Sequence, residues 1–484
     1  MDETPARPRQ HVPALLARLG GSIRSSGPAL IGLTAFGLAL LPQEMLNDGD
    51  TWWHLSAGDW ILAHGAVPRQ DPFSYTFGGQ PWTAHEWLSE VLLSLAYRAG
   101  EWAGVMVLTA TAFGLGAGLL ARHAARDLGG LALWVLVAVG LWLFMPHLLA
   151  RPHILVLPAM VAWFAGLVTA RREGRAPPAW LLLVLVAWAN MHGSFLAGIA
   201  MIAPVALEAW LARRAWTVAT GWALFAAGAV LAGLLTPFGI EGYILPFHLM
   251  GMHNVANISE WAPMSFASLE RFHVVVLIFL VFAAVLRPPI SWVSWIVLIG
   301  LALATVKSER HQMLLAIVGI VLLAQPFGAV LSRPTGPAGR AAAIWVTGLA
   351  VLLAGLRLLA PVALPVTDKD PAVALAQITP EMAGQRVLNG YELSGYLIRA
   401  GIPVYVDSRA DLYGDAFLDH YALMVKGDVA ELEATIARHD IGWTMLTPDR
   451  AMARAMDTLP GWHRVYADAV AVIHVRDARG EPPR

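Results

Sequence analysis

The sequence has no cysteine, few charges and no excess of either sign. Without cysteine there is no disulfide, no thiolate nucleophile and no thiolate-ligated metal. Charged residues are 14% of 484, where a soluble chain carries about 25%. The polar surface needed to cover a soluble body of this length is missing. The 33 Lys+Arg stand against 34 Asp+Glu, which excludes both the basic face of a nucleic-acid binder and an acidic tail. What fills the chain instead is apolar: 57% hydrophobic residues, 20 of them Trp, with a mean hydropathy of +0.58. This composition belongs to a polytopic α-helical membrane protein surrounded by lipid.

The scarce charges are unevenly placed. Residues 362–484 hold 29 of the 67 charged residues, a density of about a quarter that is ordinary for a soluble domain. Three parts follow. Residues 1–26 form a basic cytoplasmic segment (Arg7, Arg9, Arg18, Arg24) that lacks the small-residue cleavage site of a signal peptide. Residues 27–361 form the transmembrane body, and residues 362–484 an extracytoplasmic domain.

Apolar runs near the ~20 residues that span a bilayer fall at 27–46, 103–121, 130–148, 153–170, 178–190, 194–212, 217–236, 272–287, 291–306, 311–331 and 341–361, about eleven in all. From a cytoplasmic N-terminus, every inner turn is basic: Arg122 and Arg126; Arg171, Arg172 and Arg175; Arg213 and Arg214; Arg287; Arg333 and Arg340. The outer face then receives the long loops 47–102 and 237–271 and the C-terminal domain. In that domain, β-rich runs at 403–407, 441–446 and 470–475 alternate with helical stretches near 415–425, 428–438 and 448–457, which predicts an α/β fold. Asp428 and Asp449 are placed to cap the last two helices or to serve as acids of their first turns.

The informative polar residues collect on the outer face. The first long loop carries Asp48-Gly49-Asp50-Thr51-Trp52-Trp53-His54, then Asp59, Asp71 and His85-Glu86-Trp87. Stretches 51–64 and 84–98 have the spacing of helices lying along the interface. Tryptophans there can be a membrane belt and single acids can be solvated. Two carboxylates with a glycine between them at a span's exit can instead converge on a cation or an attacking group. Other outer turns contribute Arg151-Pro152-His153, Asn190-Met191-His192, Ser259-Glu260 and Lys307-Ser308-Glu309-Arg310. Cations on this side run against the positive-inside rule; they either snorkel or hold a phosphate. His153 and His192 read as hydrogen-bonding residues of the fold. The middles of the spans are clean, unlike those of a transporter.

The run from Asp48 to Leu62, with His64-Gly65 and Pro68, resembles the first outer loop of GT-C membrane glycosyltransferases. It is most similar to that of the oligosaccharyltransferase catalytic subunit and its bacterial single-subunit counterparts. Ile258-Ser259-Glu260 resembles that family's later Ser/Thr-x-Glu motif, and the C-terminal domain stands where the family's soluble domain stands. The Trp-Trp-Asp motif by which oligosaccharyltransferases read an Asn sequon is absent; Asn389-Gly390-Tyr391-Glu392 occupies roughly that place. Asn-sequon glycosylation is therefore not expected, and the chain reads as a separate bacterial branch with another acceptor.

The resemblance implies inverting transfer of a sugar from a polyprenyl-phosphate-linked donor, on the periplasmic side of the bacterial inner membrane. The acceptor could be a protein, a polysaccharide or a lipid. Asp50, then Asp48, then Glu86 are the implied catalytic carboxylates. Asp50, Asp48 and Glu260 are the implied ligands of a divalent cation, Mg²⁺ or Mn²⁺. Arg310, Lys307 and Arg151 would hold the donor phosphate. Asp407, Arg409, Asp411, Trp52, Trp53 and His54 would lie toward the acceptor; the first three read equally as a strand-end polar cluster that orders the domain. Partners are the lipid-linked donor and membrane lipids, with no nucleic acid. Two other classes keep the same architecture: a non-catalytic scaffold or assembly factor of the GT-C fold, and a transporter of lipid-linked sugars.

Overall fold

The computed structural model describes residues 26–41, 43–254, 261–331, 340–362 and 371–477. Its helices, in order, are α1 (Gly27–Ala39), α2 (Gly49–His64), α3 (Trp87–Ala124), α4 (Gly130–Phe144), α5 (Leu157–Glu173), α6 (Trp180–Ala189) and α7 (Phe195–Ala200). There follow α8 (Ile202–Arg213), α9 (Trp216–Gly233), α10 (Glu241–Gly251), α11 (Arg271–Leu286), α12 (Trp292–Lys307), α13 (Gln312–Leu331) and α14 (Arg340–Leu359). Each apolar run read from the sequence overlaps a helix. Among the described residues, four stretches are long and apolar enough to cross a membrane by length and composition: Trp87–Ala124, Phe195–Arg213, Trp216–Gly233 and Glu309–Leu331. Shorter apolar helices accompany them. The outer helices display Leu183, Trp216, Leu224, Val285, Leu303 and Trp345 openly, a surface suited to lipid and not to water.

The helix α3 changes character part-way. Gly100 and Glu101 leave the helical backbone, Glu101 at φ 49°. Before this kink the helix carries Ser89, Glu90, Ser94 and Arg98; after it the chain is apolar to Leu120. The first half therefore packs along the polar boundary against α2, and the second half joins α1, α5 and α13 in the body's core. At the far end of the helices, Arg171 pairs with Glu208 at 2.5 Å and Arg172 with Asp127 at 2.6 Å. The basic turns around Arg126 and Arg171 thus gather opposite the first long loop.

The C-terminal domain contains a four-stranded sheet of β1 (Arg386–Asn389), β2 (Ile441–Leu446), β3 (Trp462–Ala467) and β4 (Val472–Arg476), in the order β1-β2-β4-β3. β1 runs parallel to β2; the other pairs are antiparallel. The crossover between β1 and β2 contains α15 (Ser394–Arg399), α16 (Ala410–Val425) and α17 (Val429–His439), and α18 (Ala451–Met456) precedes β3. Asp428 caps α17 through the Glu431 N–H at 3.1 Å. Asp449 caps nothing: Arg450 holds the N-terminal position of α18, with no side-chain cap. The run 403–407 also differs from expectation. It is extended, yet its one bridge is from Val404 to Ser74 of the first loop, so it serves the joint between the parts and not the sheet.

That joint is extensive. One face of the sheet (Val387, Trp443, Met445, Ile473) shares an apolar cluster with Trp53, Ala57 and Trp82 of the first loop and with Phe238. Tyr75 donates its hydroxyl to the Val387 carbonyl at 2.8 Å, and Thr76 donates to the Tyr405 carbonyl at 2.7 Å. Gly395 is required where α15 meets α2, because a side chain there would strike the Gly49 carbonyl.

A candidate active site beneath the C-terminal domain

Two clusters of acids lie side by side on the loop end of the helices. The first is built at the start of α2. Asp48 is its N-cap and accepts the Asp50 N–H at 2.9 Å. Across from it, Arg151 precedes Pro152 and so takes an extended backbone, φ −129° and ψ 162°. The Ala150 N–H donates to the Met45 carbonyl at 2.8 Å, and the Thr51 hydroxyl donates to the Ala150 carbonyl at 3.2 Å. This stitching presents the guanidinium to both acids. Its Nε lies 2.5 Å from Asp48 Oδ2, Nη2 donates to Asp48 Oδ1 at 3.1 Å, and Nη2 also meets Asp50 Oδ2.

The second cluster surrounds Glu86. Gly58 lets α2 and α3 approach until its Cα sits against the Glu90 carbonyl and Ser94. His54, one turn after Asp50 on the same face, is thereby wedged between two glutamates: its Nδ1 is 3.4 Å from Glu90 Oε1 and its Nε2 3.9 Å from Glu86 Oε2. His85 Nε2 and His192 Nε2 lie 3.8 Å and 3.5 Å from Glu86 Oε1. The His192 turn is itself clamped to the start of α3, with Trp87 Nε1 donating to Asn190 Oδ1 at 2.8 Å and Ser89 to the Met191 carbonyl at 2.9 Å.

Burial governs the charges here. It pushes the Glu86 carboxyl up to about 7, with the nearby Glu90 adding to the rise and His85 and Arg310 opposing it. Burial also holds His192 well below its ordinary value, helped by Arg310 and His153, so the ring is neutral. Its Nδ1 accepts the Ser194 N–H at 3.1 Å. The ring proton therefore sits on Nε2, facing Glu86. Asp411, at the start of α16, is likewise raised by burial against the fields of His85 and Arg409. A carboxyl that titrates near neutrality, fronted by a neutral imidazole donor and an arginine, can take a proton from an attacking hydroxyl or amine.

The expected site residues divide accordingly. Asp48, Asp50 and Arg151 form one group; Glu86, His54 and Asp411 belong to the other. Arg310 lies within electrostatic reach of Glu86 and His192 and stacks over Trp261 at 3.9 Å. Lys307 is exposed on the last turn of α12, where a cation meets the negative end of the helix dipole, and shares with Arg310 a field on His311. Trp52 packs on Trp102 and Tyr396 with ring centroids 4.6 and 5.1 Å apart. Trp53 stacks on His54 at 3.8 Å and donates Nε1 to Ser408 at 2.9 Å. Glu260, with Ser259, lies outside the described residues.

Asp407 and Arg409 differ from the acceptor-side expectation. Both are buried, and Arg409 binds Asp407 at 2.6 and 2.9 Å and Asp71 at 2.8 Å, under the rings of Trp82 and Phe73. Tyr413 adds a hydrogen bond to Asp407 at 2.9 Å. With those atoms engaged below the surface, they fasten the domain to the loop. Two residues of the cluster were not read as chemical. Glu90 carries no motif of its own, and only the four-residue step from Glu86 places it on the same face. His192 was read as a structural hydrogen bonder, yet its Nε2 faces the acid.

Where a metal is expected, the described residues place a cation of their own. The Asp48 and Asp50 oxygens that would face an ion face Arg151. Among the described residues no group of three or more His, Asp or Glu side chains is disposed to hold a metal. The donor set described here does not fit a divalent ion.

No family model matches the chain, and no curated protein matches it. Solved structures do. The oligosaccharyltransferase of Archaeoglobus fulgidus, in its apo form, is similar over 86% of this chain and 69% of its own, with 10% identity and a TM-score of 0.51. ArnT of Cupriavidus metallidurans, bound to undecaprenyl phosphate, is similar over 94% of this chain and 98% of its own, with 16% identity and a TM-score of 0.50. The likeness shows a GT-C-like fold.

Proposed function

We propose that the chain is a membrane glycosyltransferase that moves a sugar from a polyprenyl-phosphate-linked donor to an acceptor on the non-cytoplasmic face. The fold likeness supports the general kind. The observation that carries the reading is local: Glu86, titrating near neutrality, faces the His192 Nε2–H and the field of Arg310, with His54, one α2 turn after Asp50, at its other oxygen.

In this reading Glu86 is the base. It takes the proton of the acceptor as the acceptor's oxygen or nitrogen bonds to the anomeric carbon. The bond from that carbon to the phosphate oxygen breaks, its electron pair leaves on the lipid phosphate, and the anomeric centre inverts. Arg310, braced on Trp261, meets the negative charge that develops on the phosphate. Asp50 and Asp48 hold Arg151 and shape the floor of the site, while Glu90 positions His54 behind Glu86. An open apolar groove of about 620 Å³, lined by Trp87, Leu88, Leu183, Val186, Asn190 and Pro237, offers the lipid tail a place to lie. ArnT, the neighbour solved with undecaprenyl phosphate, motivates the lipid carrier as donor.

We also place the spans at about eleven, with residues 27–361 in the bacterial inner membrane and residues 362–484 in the periplasm. The gathering of basic turns at the end opposite the acids supports this orientation. The test is transfer of radiolabelled sugar from a polyprenyl-phosphate donor in membranes holding wild type or Glu86→Gln. Label on a new product only with wild type is the expected result. Donor crossing the bilayer without any transfer would make the chain a transporter; neither activity, with saturable donor binding absent, would make it a scaffold.

A further inference from the structure

One guanidinium closes the Asp48–Asp50 pair. Asp48 has both oxygens engaged, Oδ2 by Arg151 Nε at 2.5 Å and Oδ1 by Arg151 Nη2 at 3.1 Å. The same Nη2 reaches Asp50 Oδ2. The three side chains are 11%, 23% and 13% exposed for Asp48, Asp50 and Arg151, so this charge balance is struck largely out of water, where an unpaired ion is costly. A hard divalent cation needs carboxylate oxygens at about 2.0–2.6 Å, and the fork holds three of the pair's four: both of Asp48 and Oδ2 of Asp50.

Arg151 is also held in place by the chain that carries the acids. Pro152 keeps its backbone extended. The residue before it, Ala150, is bonded on one side to Met45 and on the other to Thr51, the latter directly following Asp50. A side chain aimed by two flanking backbone ties is a built part of the site and not a surface arginine that has folded over. Planar, always charged and bidentate, it supplies the positive charge that an Asp-x-Asp pair otherwise draws from a metal.

We infer that Arg151 is the resident cation of this carboxylate pair: it stands in the place of a divalent ion, and the wild-type pair binds neither Mg²⁺ nor Mn²⁺. The inference rests on the proposed transfer only for its consequence, that transfer proceeds without metal. Its geometric content can be measured with no donor present.

The experiment titrates Mn²⁺ into detergent-purified full-length protein and reads free Mn²⁺ by electron paramagnetic resonance. Wild type is expected to bind no more Mn²⁺ than the Asp48→Asn/Asp50→Asn double variant. Arg151→Gln, checked for a monodisperse elution peak and a melting transition, is expected to gain one site. That site should bind at least tenfold tighter than any in wild type and vanish when Asp48→Asn is added. A wild-type Mn²⁺ site lost in the double variant would overturn the inference, whether or not Arg151→Gln folds. So would a folded Arg151→Gln that gains nothing. Where transfer is measured, a chelator should change it less than about twofold; a tenfold loss restored by Mn²⁺ would also overturn it. Absence of any transfer would count against the proposed function alone.

Discussion

His192 presents Nε2 to the Glu86 carboxyl at 3.5 Å, while its Nδ1 accepts the Ser194 N–H. The serine hydroxyl, 2.7 Å from the same Nδ1, takes the indole N–H of Trp188 at 2.9 Å. A buried helix side chain thereby dictates which nitrogen faces the acid. The proton on Nε2 stabilises Glu86 as a carboxylate and gives it direction.

Glu86→Gln should lower transfer by about 10²- to 10⁴-fold, the contribution of a positioned base. Wild-type kcat/KM should rise about tenfold per pH unit on the acid side and level off above about 7, the value to which burial brings this carboxyl. A rate independent of pH between 5 and 8 would remove Glu86 from the base role.

The same shift affects stability. Because the folded state raises the Glu86 pKa from 4.5 to about 7, folding favours its protonated form. That stabilisation is complete below about 4.5 and is lost as pH climbs through about 7, a change of about 3 kcal/mol. Glutamine mimics the protonated form. Glu86→Gln is therefore expected to melt above wild type at pH 8 and to converge with it toward pH 4.5. An equal offset at both pH values would contradict the burial argument.

Arg310→Ala should raise the KM for donor more than that for acceptor. It should also move the acid limb of kcat/KM to higher pH, since Arg310 holds the Glu86 pKa down. A limb that moves to lower pH, or a defect confined to acceptor KM, would place Arg310 elsewhere.

Arg409→Met leaves Asp407 and Asp71 buried without their cation, and breaking a buried pair in this way costs about 3–5 kcal/mol. The variant should melt lower and release the C-terminal domain under limited proteolysis. Adding Asp71→Asn should recover part of the loss. If the single variant behaves as wild type, the joint does not depend on this pair.

Much of the body was legible because lipid imposes a simple rule: backbone groups must be satisfied internally, so apolar runs become helices. The first outer loop was legible too, since α2 and the first half of α3 keep helical spacing. Pairing across the fold was not. That Arg151 reaches Asp48 and Asp50 depends on two turns about a hundred residues apart, and no local pattern announces it. The segment 403–407 alternates like a strand, yet Val404, Tyr405, Val406 and Asp407 are all buried because two parts of the protein close over it. β1 has only four residues with one exposed end, too short for periodicity to speak. Asp407 and Arg409 read two ways, toward an acceptor or as an ordering cluster, because sequence shows charge and not depth.

The bond from Trp53 to Ser408 joins positions 355 residues apart, and Asp71 waits as long for Arg409. During synthesis the first loop is made early, with its aromatic face uncovered and Asp71 lacking its counter-ion. Only once the chain has been made past Arg409 can these groups find their partners. The joint between the first loop and the C-terminal domain is thus completed only near the end of translation, and a chain that stops short lacks it.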